Sequence, residues 1–381
     1  MAYTWEELAG LSLARQFPGL DGRDAPAVAE TVNRIGPIQA QTARSPFLAL
    51  AARLPGVTLA TISSAYDDLL IVRGSNLRGT VHTSTPADNA LLEVGTRLGN
   101  RPLWNRTLKL SEKTLEDVWS GIEDFARDEW RTPAELSTHL ASWIAEHDPK
   151  AASSLDNDAG RYFGFGHGGL LRRPLAGGWQ AQGAPGYRTA SALIGDRTQV
   201  LADPDGSMDA LLRRHITSHG PSSRNDIAWW TGVGLRAVDA SLERLAEDED
   251  EDLSETPGPD GRCYHDLPDA PPPIELPGAR LLPEFDALLC GYDPKARERY
   301  VAPEHYRRLW FQANGMLLAP LLLDGRLTGY WRVPGSGSSR PCEVSYFAGT
   351  RRPTKVELAE PVAALEAAYG IAVTKVSITR E

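Results

Sequence analysis

The sequence predicts an α+β fold in which helix-turn-helix units, each winged by short strands, are repeated before a β-rich C-terminal part. Two observations carry this prediction. Three successive stretches run from short helices through turns to strand-like pieces, and the chain after residue 279 loses this helical pattern. A length of 381 residues allows two or three domains of ordinary size. We therefore expect winged units at residues 1–110, 111–205 and 206–270, and a C-terminal part at 279–381.

The first unit is expected to begin with helices and to end in two strands. Apolar residues at helical spacing predict helices over Thr4–Gln16, Ala27–Ile35 and Leu59–Leu69. Two short strand-like segments follow at Ile71–Leu77 and Gly79–Thr85. This order of helices and strands is typical of a winged unit.

The second unit carries the clearest helix start in the chain. Thr132 can cap a helix whose first turn holds Pro133 and whose third position holds Glu135, which together form a capping box. An earlier amphipathic helix is expected to begin at Ser111, with Glu112 and Thr114 nearby to cap it. Glycine-rich segments with strand character then alternate: Gly164–Gly169, Leu170–Pro174, Gly177–Gln182 and Tyr187–Ala190.

The third unit shows the helix-turn-helix pattern most plainly. Helices are predicted over Met208–His219, Arg224–Thr231 and Leu235–Asp248, separated by short turns that contain glycine. Leu253–Glu255 and Cys263–Asp266 would form its wing. The proline run that follows breaks regular structure and predicts a linker before residue 279.

The C-terminal part is predicted to be mostly β-strand. Asp324-Gly325 is a strong two-residue hairpin signal, and Gly335–Ser339 would make a flexible tip. Arg332, Arg340, Arg351 and Arg352 flank this tip and define a basic hairpin. Strands are expected at Ala279–Leu282, Gly315–Leu323, Leu327–Val333, Glu343–Phe347 and Val373–Thr379, with a helix at Val356–Tyr369.

Composition limits the classes of protein and partner. The formal net charge is −10, but Glu247–Asp252 with Glu255 supplies seven acids, and without them 43 acidic residues face 40 basic ones. Clustered arginines then fit either a basic groove or a solvated surface. No run of 18 apolar residues or secretory signal occurs, and the three cysteines lie far apart, so we expect a cytoplasmic protein with no membrane partner.

Gln39-Ala40-Gln41 is the most informative motif. Two residues spaced i, i+2 in an extended segment point the same way, so both amides could share one small target. A neutral amide cannot take a proton, but it can hold and align a water molecule. The alternative is a pair of surface glutamines at a strand edge. An active site built on this pair would catalyse a reaction that depends on positioning a water molecule more than on a basic side chain.

Four segments, in order, resemble the AlkZ-like winged-helix DNA glycosylases, which unhook interstrand crosslinks. The glutamine–hydrophobic–glutamine motif is one of them, and it marks one branch of that family. The full set is Leu11–Gln16 (Leu-Ser-Leu-Ala-Arg-Gln), Ile35–Gln41 (Ile-Gly-Pro-Ile-Gln-Ala-Gln), Leu77–His82 (Leu-Arg-Gly-Thr-Val-His) and Leu281–Leu289 (Leu-Leu-Pro-Glu-Phe-Asp-Ala-Leu-Leu).

The resemblance implies tandem winged helices in a concave arrangement, with a β-hairpin that approaches the minor groove of double-stranded DNA. It implies a substrate guanine alkylated at N7, including azinomycin-type crosslinks, and Gln39 and Gln41 as catalytic residues. Whether the lesion is a self-made antibiotic adduct or general alkylation damage stays open. The nearest lysine to the motif is Lys109, so we expect a monofunctional hydrolase without a Schiff-base intermediate.

Other basic residues are candidate contacts. Arg44, Arg78 and His82 could bind phosphate or the lesion, although Arg78 and His82 could instead close the first wing. The basic hairpin arginines, Arg332, Arg340, Arg351 and Arg352, could contact the DNA backbone or minor groove. A solvated hairpin is the alternative for this set.

Two other functions fit the same sequence. Repeated helix-turn-helix units would also suit a non-catalytic transcriptional regulator, and the acidic run would suit a protein-interaction scaffold.

The eight histidines form no His-Glu-x-x-His motif and no phosphate-binding loop occurs, so we expect neither metal nor cofactor. A monomer is expected.

Overall fold

The computed structural model describes residues 2–155, 158–247, 253–311 and 315–381. Residues 248–252, most of the acidic run, lie outside the described residues. Among the described residues, no helix is both long and apolar enough to cross a membrane.

The helices and strands follow in mixed order along the chain. The helices are α1 (Trp5–Gln16), α2 (Ala25–Ile35), α3 (Ser45–Arg53), α4 (Leu59–Asp67), α5 (Pro86–Leu108), α6 (Leu115–Phe125), α7 (Pro133–His147), α8 (Ser191–Ile194), α9 (Thr198–Ala202), α10 (Pro204–His219), α11 (Arg224–Thr231), α12 (Leu235–Glu247), α13 (Ala287–Cys290), α14 (Pro303–Leu309) and α15 (Ala359–Tyr369). The strands are β1 (Ile38–Gln39), β2 (Val72–Asn76), β3 (Thr80–Ser84), β4 (Leu170–Pro174), β5 (Pro185–Thr189), β6 (Ser222–Ser223), β7 (Ser254–Pro257), β8 (Cys263–Asp266), β9 (Ala279–Leu281), β10 (Trp310–Phe311), β11 (Met316–Leu317), β12 (Pro320–Leu323), β13 (Arg326–Arg332), β14 (Ser339–Tyr346) and β15 (Ala372–Arg380).

Strands from the first two expected units form one antiparallel sheet. Its order is β1-β3-β2-β4-β5, and β2 meets β4 where Gly74 pairs with Leu171. A Cβ at Gly74 would lie 3.3 Å from the Leu170 carbonyl oxygen, so the absence of a side chain lets the two strands approach. The boundary at residue 110 stays a prediction, because this sheet continues across it.

Helix starts follow the capping signals of the sequence. Thr132 and Glu135 form the expected capping box at the start of α7, and Thr114 forms another with Asp117 at α6. The prediction for the glycine-rich segments was only partly right. Gly164–Gly169 begins at the end of a 3-10 helix and continues as a bend, and Gly177–Gln182 forms a turn, so neither is a strand. Glycine costs a strand both side-chain packing and entropy, which favours turns there.

Helix α5 is the main element without a sequence-based prediction. It begins at Pro86 behind the Thr85 cap and continues for 23 residues although it contains Pro102. Gly99 lies close to the Gly232 carbonyl, with its Cβ position 3.1 Å from that oxygen. This helix is therefore packed on several sides. Its apolar residues do not form one face, so the sequence lacks the periodic pattern of an amphipathic helix.

The third unit has the predicted elements within a few residues. Helices α10, α11 and α12 are followed by β7 and β8, which form a three-stranded antiparallel sheet with β6. Trp230 is 3% exposed and packs among Leu211, Ile227 and Val238, so it belongs to the core.

The C-terminal sheet has the order β15-β14-β13-β12-β9. Asp324 and Gly325 both have positive φ, 50° and 76°, as a type I′ turn requires. One predicted strand, Gly315–Leu323, was wrong, because it divides into β11, which pairs with β10, and β12, which enters the sheet. Helix α15 packs on α3 through Ala364 and Ala368, and this contact joins the sheet to the first unit.

Candidate active site

The Gln39-Ala40-Gln41 motif begins in a short strand after α2. Gly36, with φ of 84°, ends α2, and a Cβ there would lie 2.8 Å from the Ser218 hydroxyl oxygen. Strand β1 then pairs with β3, so that Gln39 stands opposite His82. The Ala40 N–H continues this pairing by donating to the Val81 carbonyl at 2.6 Å. The motif is therefore anchored in the sheet of the first two units.

The two glutamines differ in environment. Gln39 is 9% exposed within the sheet, whereas Gln41 is exposed at the first residue of a bend that leads into α3. The predicted extended segment thus ends at Ala40. Gln39 belongs to a rigid, enclosed position, and the Gln41 amide faces solvent.

Arg78 fixes the orientation of the Gln39 amide. Its Nη2 donates to Gln39 Oε1 at 3.0 Å, and its Nη1 donates to the Trp230 carbonyl. Because the carbonyl end of the amide is turned to a cation, the NH₂ end of Gln39 points the other way. Arg78 sits in the tight turn between β2 and β3 with φ of 59°, so it closes the first hairpin as well.

The Arg78 guanidinium has no carboxylate partner among the described residues. Burial lowers its pKa, although the Cys290 thiol opposes this shift. Arg78 is half-buried, and a cation without a counter-charge is costly to desolvate.

His82 lies beside the same pair. It is 1% exposed and its Nδ1 has no hydrogen-bond partner. Burial first, and then the charge of Arg78, lower the pKa of His82 to about 3. The ring is therefore neutral at physiological pH and cannot serve as a general acid. The structure brings Gln39, Arg78 and His82 together.

Arg44 lies at the start of α3 and pairs with Glu284. Burial alone would lower the pKa of Arg44, but the Glu284 carboxylate more than offsets this and raises it. Glu284 is 7% exposed, and its Oε2 has no hydrogen-bond partner. Sequence reasoning gave Glu284 no role, although it stands in the Leu281–Leu289 segment. Arg44 and Glu284 are 240 positions apart in the sequence, so no local sequence pattern could predict that they pair.

A second ion pair joins the same segment to α3. Arg53 Nη1 and Asp286 Oδ2 are 2.9 Å apart, and both side chains are 1% exposed. Arg53 Nη2 also donates to Gln16 Oε1 at 3.2 Å, and Gln16 Nε2 donates to the Ile35 carbonyl at 2.7 Å. Three of the four segments that carry the family resemblance therefore meet at one buried network behind the glutamine motif.

The four arginines of the basic hairpin do not lie together. Arg332 pairs with Glu343 at 2.7 Å, and Arg340 donates to the Gly337 carbonyl at the tip. Arg351 and Arg352 lie beyond the far end of β14, where Arg351 contacts Asp324 in the hairpin turn. The expected position of these last two beside the Gly335–Ser339 tip was therefore wrong, because β14 carries the chain away from it.

Arg351 and Arg352 also differ in charge balance. Arg351 bonds to both Asp324 and Glu357, at 2.6 and 2.7 Å, and these contacts raise its pKa. Arg352 is exposed and forms no ion pair within the described residues. The charge of Arg352 is therefore not compensated by a carboxylate, whereas that of Arg351 is.

Comparison with known proteins decides the family. A family model described as DNA glycosylase AlkZ-like matches residues 32–368. The chain belongs to the AlkZ-like DNA glycosylase family. It is therefore a DNA glycosylase, a hydrolase of N-glycosyl bonds whose substrate is DNA, and this supports the enzyme over the non-catalytic regulator.

Among solved structures, this AlkZ-like glycosylase is similar to the Streptomyces sahachiroi DNA glycosylase AlkZ. The TM-score is 0.79 at 20% sequence identity, and the match covers 99% of this chain and 100% of that chain. The match supports the α+β fold with its C-terminal sheet. No curated protein sequence matches the chain.

Stability of this AlkZ-like glycosylase is expected to fall as pH decreases from about 6.5 toward 3. Burial lowers the pKa of His82 and of His215 to about 3, so the unfolded chain binds protons in this window that the folded chain does not. Acid therefore favours unfolding. Urea unfolding at several pH values measures the effect, and His215→Gln is expected to flatten the acid limb. An unchanged limb in that variant would contradict the assignment.

Proposed function

We propose that this DNA glycosylase hydrolyses the N-glycosidic bond of N7-alkylguanine, including guanine in azinomycin-type interstrand crosslinks, with Gln39 and Gln41 as the catalytic residues. The observation that supports this is the bond from Arg78 to Gln39 Oε1 at 3.0 Å, which orients a neutral amide. Among the described residues, no carboxylate or lysine bonds to Gln39, Arg78 or His82. A site of this kind suits a leaving base that is already activated.

Alkylation at N7 supplies that activation. It places a positive charge on guanine, so the C1′–N9 bond can break toward an oxocarbenium-like state without proton transfer to the base. The protein then needs to hold water and substrate in the reacting geometry and to stabilise charge with fixed dipoles. Neutral amides can do both. An unmodified guanine would leave poorly from such a site.

The environments of the two amides suggest a division of roles. The Gln39 amide is oriented by Arg78, so its NH₂ group can donate to an oxygen atom of the bound nucleotide. The Gln41 amide is exposed, and no hydrogen bond is recorded for it within the described part of the chain. We assign the attacking water to Gln41 and the positioning of the lesion to Gln39.

Glu284 is the rival candidate for a general base, since Oε2 lacks a hydrogen-bond partner. Its other oxygen pairs with Arg44, which favours a structural role at the start of α3. Glu284→Gln keeps the shape of the side chain and removes its basicity. We expect base release to stay within about tenfold of the unchanged protein, whereas loss of about 10²–10⁴-fold would assign the base to Glu284.

Single-turnover incubation tests the reaction itself. Duplexes with N7-methylguanine or with an N7-linked interstrand crosslink are expected to lose the modified base, while the unmodified duplex does not. The DNA strand is expected to stay intact until heated in alkali, and borohydride should trap no covalent complex. Tight binding without base release from either duplex would refute the proposed substrate, and borohydride trapping would refute the monofunctional mechanism.

Arg352→Ala is expected to weaken DNA binding across sequences and to lower the salt slope of log K by about 1. Its matched control is Arg351→Ala, because Asp324 and Glu357 already compensate that charge. Fluorescence anisotropy at several salt concentrations measures both. Equal slopes for Arg352→Ala and the unchanged protein would place Arg352 outside the DNA contact.

A further inference from the structure

The hairpin of β7 and β8 gathers three side chains that commonly bind metal ions. Glu255 pairs directly with His265 across the two strands, and Cys263 stands two residues before His265 on the same face. Cys263 and Glu255 are exposed, whereas His265 is buried. The sequence shows only a Cys-x-His spacing, and the strand pairing adds the carboxylate.

The donor atoms already lie close to the separation that a tetrahedral ion needs. Cys263 Sγ is 3.7 Å from Glu255 Oε2, and His265 Nδ1 is 3.5 Å from Glu255 Oε1. Zinc bonds of roughly 2.0–2.3 Å place neighbouring ligand atoms about 3.3–3.8 Å apart. All three donors lie within 4.8 Å of one another, so rotation of exposed side chains can complete the geometry.

An independent observation comes from the buried ligand. The His265 side chain is 8% exposed, and its Nδ1 has no hydrogen-bond partner although it is directed toward Glu255. Buried nitrogen atoms normally have a hydrogen-bond partner, so an unpartnered one at this position indicates a bound ion or ligand.

We propose that Glu255, Cys263 and His265 bind one divalent transition-metal ion, with Zn²⁺ as the best match. One sulfur, one nitrogen and one oxygen donor suit a borderline-soft ion in tetrahedral geometry, with water at the fourth position. Magnesium and calcium are poor matches, because they prefer oxygen ligands alone. The ion would link strands β7 and β8 of this hairpin.

Binding must release a proton. A cysteine thiol must lose its proton before its sulfur can bind an ion. Coordination converts Cys–SH and M²⁺ into a thiolate–metal bond and one H⁺, which leaves to solvent. The affinity is therefore expected to rise with pH.

Cobalt titration of the full chain, untagged and with a phosphine reductant, tests the site. We expect one Co²⁺ per chain, a thiolate-to-cobalt charge-transfer band in the near ultraviolet, and loss of this band when Zn²⁺ is added. Cys263→Ser should abolish the band. His265→Gln and Glu255→Gln should each weaken binding at least tenfold.

The matched control is Cys342→Ser, which removes a buried thiol from the C-terminal sheet and should leave the band unchanged. Circular dichroism shows whether each variant is folded. A chain that gives no charge-transfer band, or a band that persists in folded Cys263→Ser, would overturn the proposal. The readout does not involve base release, so its failure is separate from failure of the proposed glycosylase substrate.

Discussion

The Gln39→Ala/Gln41→Ala variant is expected to release N7-methylguanine about 10²–10³-fold more slowly than the unchanged protein, with its DNA affinity retained. Removing one preorganised amide from a reacting centre commonly costs this much, because the remaining site cannot align water or stabilise developing charge. Gln41 is exposed, and neither substitution removes an apolar side chain. The effect should therefore appear in the rate of base release under single turnover.

Controls separate chemistry from folding and binding. Gln199→Ala removes an exposed amide on α9 and should leave the rate unchanged. Arg78→Met is expected to slow release as well, because the Gln39 amide then loses its fixed orientation. If the double variant kept a rate within about threefold of the unchanged protein, Gln39 and Gln41 would not be the catalytic pair.

Asp286→Ala is expected to lower the free energy of unfolding by about 3–5 kcal/mol, because it leaves Arg53 as an unpaired buried charge. Both side chains are 1% exposed, so water cannot take the place of the lost carboxylate. The same change frees Arg53 from its bidentate contact next to Gln16. Equilibrium urea unfolding at neutral pH measures the loss.

The comparison pair for this experiment is Arg332 and Glu343 on the C-terminal sheet. Their contact at 2.7 Å is exposed, so Glu343→Ala should cost less than about 1 kcal/mol. The double change Arg53→Met/Asp286→Leu removes both buried charges and should regain much of the loss. Equal costs for Asp286→Ala and Glu343→Ala would show that the buried pair does not hold the C-terminal segment to α3.

Local signals in the sequence were enough for many elements. The Thr132 capping box starts α7, and Asp324-Gly325 makes the hairpin turn between β12 and β13. The third unit follows the predicted order of helices and strands. Each of these features depends on residues within a few positions of one another, which is the range over which capping and turn chemistry act.

Predictions from the sequence failed where contacts between distant residues determine the structure. The segment Met316–Leu317 pairs with Trp310–Phe311 rather than with the C-terminal sheet. Helix α5 is held by neighbours on several sides, so its apolar residues show no single face. Arg351 and Arg352 follow the tip in sequence but lie at the other end of β14.

By itself, the sequence determined the α+β class, the helix-turn-helix pattern, the resemblance to AlkZ-like glycosylases and the glutamine pair that defines a candidate site without a base. Only the tertiary structure decided that Arg78 orients Gln39, that His82 is neutral and that Glu284 and Asp286 are ion-paired. The physical reason is that burial and long-range pairing set charge and orientation. Both depend on how segments that are distant in sequence pack against one another.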